Sequence, residues 1–193
     1  QGATDRLNLE PLGLKADDYG RIKVNRHFQT EVPNIYAVGD VVGFPSLAST
    51  GMRQGRLAAA HAFNMPPEDH EPALPFGVWT IPEMAMVGET EDSLTKKSIP
   101  YDTGVARYKE IARGVLNGDE SGMLKLVFHR DTHEILGVHA MGEGAIEILH
   151  LGQAVLSFKG GLDYFTSGVF NYPTLTECYK VAALDGFNKI SSC

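Results

Sequence analysis

Apolar positions along this chain fall in groups, and the period of each group predicts an element. Ile35-Tyr36-Ala37-Val38 is a short unbroken apolar run, the pattern of a buried strand, and Gly39-Asp40 ends it abruptly. A loop holding Gly43 and Pro45 follows, and Ser46-Leu47-Ala48 leads into residues 51–64, a stretch rich in helix formers. At helical spacing, Met52, Leu57, Ala60 and Phe63 share one side of that segment. Residues 2–33 read as short strands and turns. Gly20-Arg21-Ile22-Lys23-Val24-Asn25 alternates as a half-buried strand does, after a turn at Asp17-Asp18-Tyr19-Gly20.

Pro66, Pro67, Pro72 and Pro75 mark residues 65–75 as a linker, which divides the chain into domains at 1–72 and 73–193. The pattern then changes. Residues 76–80 and 84–88 read as strands, and 90–97 as a helix that Thr90 can cap. Residues 102–108 read as a further strand. Residues 122–129 and 134–141 form two strands joined by Arg130-Asp131-Thr132-His133, a hairpin signature. An amphipathic helix follows over 143–158, with Ile146, Leu149, Val155 and Leu156 as its apolar members, and a last helix runs from about 175 to 188. Strands followed by helices over an antiparallel sheet give an α+β fold.

Composition narrows the classes. With 43% apolar and 21% charged residues in 193, the chain can bury a core. A net charge of -7 argues against nucleic acid as a partner, and no apolar run reaches the roughly 20 residues that span a membrane. Only two cysteines occur, Cys178 and Cys193, so a reducing cytoplasm is the expected location. No Cys-x-x-Cys or His/Cys cluster suggests a metal. Glu147 and His150 lie three residues apart but lack a second such pair. The chain does not begin with Met, and Gln1-Gly2-Ala3-Thr4-Asp5 reads as a point inside a longer protein. No Gly-x-Gly-x-x-Gly follows a strand, so a complete dinucleotide-binding unit is not expected within these residues.

The strand–Gly–Asp–loop–helix order over 35–50 carries chemistry. It sets the Asp40 carboxylate at the carboxyl end of a strand, beside a helix start whose N–H groups favour electron-rich acceptors. The stretch Ile35-Tyr36-Ala37-Val38-Gly39-Asp40, with Gln54-Gly55-Arg56 after it, resembles the second flavin-binding motif of the FAD-dependent pyridine nucleotide-disulfide oxidoreductases. Downstream, Trp79-Thr80-Ile81-Pro82-Glu83, Val87-Gly88-Glu89-Thr90-Glu91 and Lys125-Leu126-Val127-Phe128-His129 are similar to that family's dimerisation domain. So are Ile135-Leu136-Gly137-Val138-His139 and Pro173-Thr174-Leu175-Thr176-Glu177.

The resemblance implies a partial FAD-binding segment followed by a C-terminal dimerisation domain. It implies that Gly39, Asp40, Ser46, Leu47 and Ala48 contact FAD, with Asp40 on the ribityl chain. It further implies a homodimer formed through 73–193. In disulfide-reducing members a His-Pro-Thr-x-x-Glu segment supplies an acid/base pair for a dithiol. Here Tyr172 stands at the His position and Glu177 remains. Tyrosine ordinarily titrates near pH 10 and is a poor base for thiols at neutrality, whereas histidine titrates there. The departure implies the branch that passes hydride between NADPH and NAD⁺ through flavin, with NAD(H) and NADP(H) as substrates. Tyr172 and Glu177 can equally serve a helix entrance, Thr174 capping it with Glu177 completing a capping box. Two alternatives stay open. One is a dihydrolipoamide dehydrogenase-like or mercuric reductase-like enzyme. The other is a non-catalytic dimerisation module, since this polypeptide alone is expected to be inactive.

Overall fold

The computed structural model describes residues 2–66 and 73–191. The linker read over 65–75 lies largely outside the described residues, as do Gln1 and Cys193. The chain divides into two compact units, Gln1–Glu71 and Pro72–Cys193.

In the first unit the expected turn at 17–20 forms. Gly20 N–H donates to the Asp17 carbonyl (2.8 Å), and Asp17 Oδ1 accepts the amides of Tyr19 and Arg21. The flanking strands do not form. Ile22 makes a single bridge to Ala16, and Tyr36 a single bridge to Gln29. Alternation reports which residues are half-buried, but a ladder also needs a straight neighbour. Here the outward amides go instead to loops: Ile22 to the Val41 carbonyl (2.7 Å) and Ala37 to the Phe28 carbonyl (3.0 Å). A 3-10 turn at Gly39–Val42 packs against helix α1, Ala48–Ala62. The buried positions of α1 are Thr50, Gln54 and Ala58, a different side from the one that Met52, Leu57, Ala60 and Phe63 share. Met52 and Phe63 are exposed in this unit. Small and polar residues face inward because the helix runs close against Gly39, where Gln54 is needed as a hydrogen-bond acceptor.

The second unit is a five-stranded antiparallel sheet in the order β1-β2-β5-β4-β3. Its strands are β1 Phe76–Val78, β2 Met84–Gly88, β3 Tyr101–Arg107, β4 Met123–His129 and β5 Ile135–Met141. Between β2 and β3 lies α2, Glu91–Lys96, closed by a Thr90–Ser93 capping box with Glu91 and Asp92 in its first turn. Cross-strand neighbours share a face. Thus Ala85, Ala140, Leu124 and Ala106 form one buried row, and Val87, Val138, Leu126 and Gly104 the next. Helices α4 (Ala145–Ser157) and α6 (Glu177–Ser191) cover that face. Two six-residue helices that the apolar pattern does not reveal, α3 Ala112–Asn117 and α5 Leu162–Ser167, complete the unit.

The expected capping box at the start of α6 is absent. Thr174 Oγ1 donates to the Asn171 carbonyl (2.8 Å), and regular helix begins only at Glu177. The Glu177 amide donates to the Thr174 backbone carbonyl (3.3 Å) and not to the Thr174 hydroxyl, so the side-chain contact that defines a cap is not made.

Tyr179 ties α6 to α4. Its fully buried hydroxyl donates to the Ile148 carbonyl (2.7 Å) and accepts the Gly152 amide (3.0 Å), the two groups that an undisturbed helix joins directly. Burial pushes the phenol well above its ordinary range. Tyr179→Phe is expected to destabilise the unit by about 0.5–1.5 kcal/mol, the net worth of a lost hydrogen bond, since the Ile148 carbonyl and the Gly152 amide can then bond to each other. Thermal melting checks this: a lower melting temperature with unchanged helix content.

Candidate functional site

Gly39 and Asp40 open the 3-10 turn, and Leu47 and Ala48 open α1. Gly39 adopts a left-handed φ of 77°, which a side chain resists, and no atom lies within 4 Å of where a Cβ would stand. Its amide donates to Gln54 Oε1 (2.7 Å), which locks the turn to the helix. On the other side, a Cβ on Gly51 would come within 3.3 Å of the Gly39 Cα. Gln54 and Gly51 are thus the residues that position the turn. The sequence showed Gln54 only as part of a motif.

The Asp40 carboxylate is exposed and makes no hydrogen bond among the described residues. Ser46, also exposed, donates through its hydroxyl to the Gly43 carbonyl (3.3 Å). Leu47 occupies the cap position without a side-chain cap, and its amide donates to the Pro45 carbonyl (3.0 Å). Ala48 is exposed and opens the helix, so its N–H has no intrahelical acceptor. This unit therefore presents a free carboxylate and an uncapped helix start on segments in contact.

The second unit holds Tyr172 and Glu177. Tyr172 is 73% exposed and its hydroxyl has no partner among the described residues. Glu177 Oε2 is buried and also lacks a partner. The structure does not join the two by a hydrogen bond. Cys178, beside them in sequence, is fully buried. Desolvation, with help from Glu177 and Glu110, pushes its thiol up to about 12, so it is no nucleophile at neutral pH. His129, His133 and His139 gather around the hairpin without forming a metal cluster, and no group of metal-ligating side chains occurs among the described residues. His139 Nε2 lies 3.1 Å from the Glu89 carbonyl oxygen, and burial holds its imidazole below the ordinary range.

Residues 74–183 match the pyridine nucleotide-disulphide oxidoreductase dimerisation domain, and residues 2–55 match the pyridine nucleotide-disulphide oxidoreductase domain. The chain belongs to the pyridine nucleotide-disulphide oxidoreductase family. Its five-stranded antiparallel sheet with helices is that family's dimerisation fold.

Among individual proteins, the chain is 53% identical over 190 residues to the soluble pyridine nucleotide transhydrogenase of Mycobacterium bovis. It is 49% identical over 193 residues to the one of Klebsiella pneumoniae. Each match takes in 98% of this chain and 41% of the relative, so the chain spans about two fifths of the length of the curated relatives it matches. Among solved structures, LpdA of Mycobacterium tuberculosis superposes with a TM-score of 0.84 at 25% identity, over 95% of this chain and 40% of that one. The flavoprotein disulfide reductase RclA of Escherichia coli gives 0.88 at 21% identity, over 95% and 43%, a likeness of fold alone. No helix among the described residues is long and apolar enough to cross a membrane.

Proposed function

We propose that this chain belongs to an FAD-dependent soluble transhydrogenase that moves hydride between NADPH and NAD⁺. In this reading residues 1–72 close the nucleotide-binding domains and residues 73–193 form the homodimer interface. The observation that carries it is the 53% identity to a soluble pyridine nucleotide transhydrogenase over nearly the whole chain. Tyr172 supports it. A dithiol mechanism needs a proton carrier that works near neutral pH, and an exposed tyrosine unconnected to Glu177 offers none.

The residues of the first unit fit FAD. The open space beside Gly39, the uncommitted Asp40 carboxylate and the uncapped start of α1 provide an acceptor for hydroxyls and donors for an electron-rich ring. Asp40 would hold the ribityl hydroxyls, Ala48 N–H would meet the ring, and Gly39, Ser46 and Leu47 would shape the wall. When bound, FAD supplies the capacity to take up and return a hydride. The protein's part is to hold it and orient it. In the second unit Tyr172 and Glu177 would stand near the partner subunit's flavin as positioning groups, with no proton to deliver to sulfur.

The test uses the full-length protein: NADPH oxidation with a thio-analogue of NAD⁺ as acceptor, beside assays with lipoamide and other disulfides. Fast exchange with slow disulfide turnover is expected. Rapid disulfide reduction without nicotinamide exchange would return the chain to the disulfide reductases.

A further inference from the structure

The first unit carries a second feature, at the opposite end of α1 from the flavin-facing residues. With 1.5 Å of rise per residue, the two ends of this helix stand about 20 Å apart. A cleft of about 590 Å³ opens there, with a polar lining of Arg26, His27, His61 and Asn64 and an apolar one of Leu57, Ala60 and Met65. Its volume lies within the usual span of small-molecule sites.

The polar side is cationic and unbalanced. Arg26 Nε donates to His27 Nε2 (3.0 Å), and the guanidinium has no carboxylate partner among the described residues. Arginine has five N–H donors, so most of its fork stays uncommitted. The His27 and His61 rings stack with centroids 4.2 Å apart and planes within 13°. His61 Nδ1 lies 2.8 Å from the Tyr36 hydroxyl, which fixes that ring from behind. No acidic side chain among the described residues lines the cleft. The helix end opposes this field only weakly. It amounts to about half a negative charge, and the carbonyls of Ala59, Ala60 and His61 are already taken by the amides of Phe63, Met65 and Asn64. One full guanidinium charge outweighs it, and each imidazole that takes up a proton adds to the excess.

We propose that this cleft binds a small molecule through its phosphate group, with Arg26, His27 and His61 on the anion and an apolar or aromatic body on Leu57, Ala60 and Met65. Planar, forked donation suits Arg26 to phosphate oxygens. In the free protein, partial burial together with the neighbouring His61 and Arg26 disfavours the His27 imidazolium. A bound dianion reverses that balance, so binding takes up protons. Above the phosphate's own second pKa of about 6, where the ligand stays a dianion, it strengthens as pH falls through the histidine range and weakens as pH rises.

Phenyl phosphate is a suitable probe, titrated calorimetrically into the full-length protein at about pH 6 and about pH 8. The ring resonances of His27 and His61 are followed by NMR in parallel. Expected are saturable binding, several-fold tighter at the lower pH, and the His27 titration moved upward by the ligand. Arg26→Gln, at an exposed position, should weaken binding by roughly tenfold or more, the loss of a charge-assisted contact. Arg26→Lys should recover part of it. His61→Phe keeps the stacked ring but should remove much of the pH dependence. Absence of saturable binding would overturn the proposal. So would binding that neither Arg26→Gln nor His61→Phe alters, since the phosphate would then sit elsewhere.

Discussion

Gly104→Ala is expected to prevent the dimerisation unit from folding stably. Gly104 lies on β3 beneath α6, and a Cβ there would stand 1.9 Å from the Ala182 carbonyl oxygen and 2.9 Å from the Gly186 nitrogen. Both obstacles are backbone, so no rotamer change relieves them. Neither element can retreat. β3 pairs with β4 along its whole length, Gly104 opposite Leu126. α6 is fastened to this edge strand by its own side chains. Asp185 Oδ2 accepts the Val105 amide (2.8 Å), and Lys189 Nζ donates to the Thr103 carbonyl (3.0 Å). These bonds also satisfy outward groups of an edge that could otherwise pair with another chain. Lifting α6 by more than an ångström would open the layer holding Cys178, Tyr179, Ala182 and Ala183, all at 0% exposure. Overpacking that side chains can relax costs about 1–3 kcal/mol; a clash between fixed backbones should exceed this, at roughly 4 kcal/mol or more. Against a total stability of about 5–15 kcal/mol, that loss should appear as low soluble yield and a melting temperature far below that of the parent. A variant melting within about two degrees of the parent would mean that the β3–α6 contact is slack.

Legibility in the sequence followed the range of the interactions involved. The β4–β5 hairpin was readable because both strands and their turn lie within about twenty consecutive residues, two apolar runs around the polar Arg130-Asp131-Thr132-His133. Strand reading failed at 20–25, where alternation was present, and at 35–38, where an unbroken apolar run was, because neither stretch has a ladder beyond a single bridge. A pattern of half-burial does not name a partner strand. Helix α1 is legible in its helix formers, but the spacing that places Met52, Leu57, Ala60 and Phe63 on one side does not name the buried side. In this unit it is Thr50, Gln54 and Ala58 that face inward, because close approach to Gly39 selects small side chains and an acceptor. Helices α3 and α5 are six residues each, too short for a 3.6-residue period to stand out. At the carboxyl end the motif Pro-Thr-x-x-Glu was visible. What could not be read was that Thr174 turns back to Asn171 and that Glu177 buries an oxygen without a partner. Those depend on loop conformation, which spacing alone does not encode.

Asp40→Ala should separate binding from folding more cleanly than any other change in the first unit. The Asp40 side chain is exposed and makes no hydrogen bond among the described residues, while its backbone carbonyl, which accepts the Gly43 amide (3.1 Å), survives the substitution. Surface changes of this kind usually move stability by no more than about 0.5 kcal/mol. The flavin reading demands a much larger effect on the cofactor. A carboxylate accepting from a ligand hydroxyl contributes about 1.5–3 kcal/mol, which corresponds to roughly a tenfold to hundredfold loss of FAD affinity. In the full-length protein the expected result is a chain that melts like the parent apoprotein but loses flavin during gel filtration. Asp40→Asn should fall between the two, since an amide oxygen still accepts while the charge is gone. Measuring flavin absorbance per chain together with the apoprotein melting temperature gives two independent readouts. Loss of both would mean that Asp40 supports the 3-10 turn rather than a ligand. Full retention of flavin by Asp40→Ala would remove Asp40 from the cofactor site and with it the main chemical support for placing FAD at the start of α1.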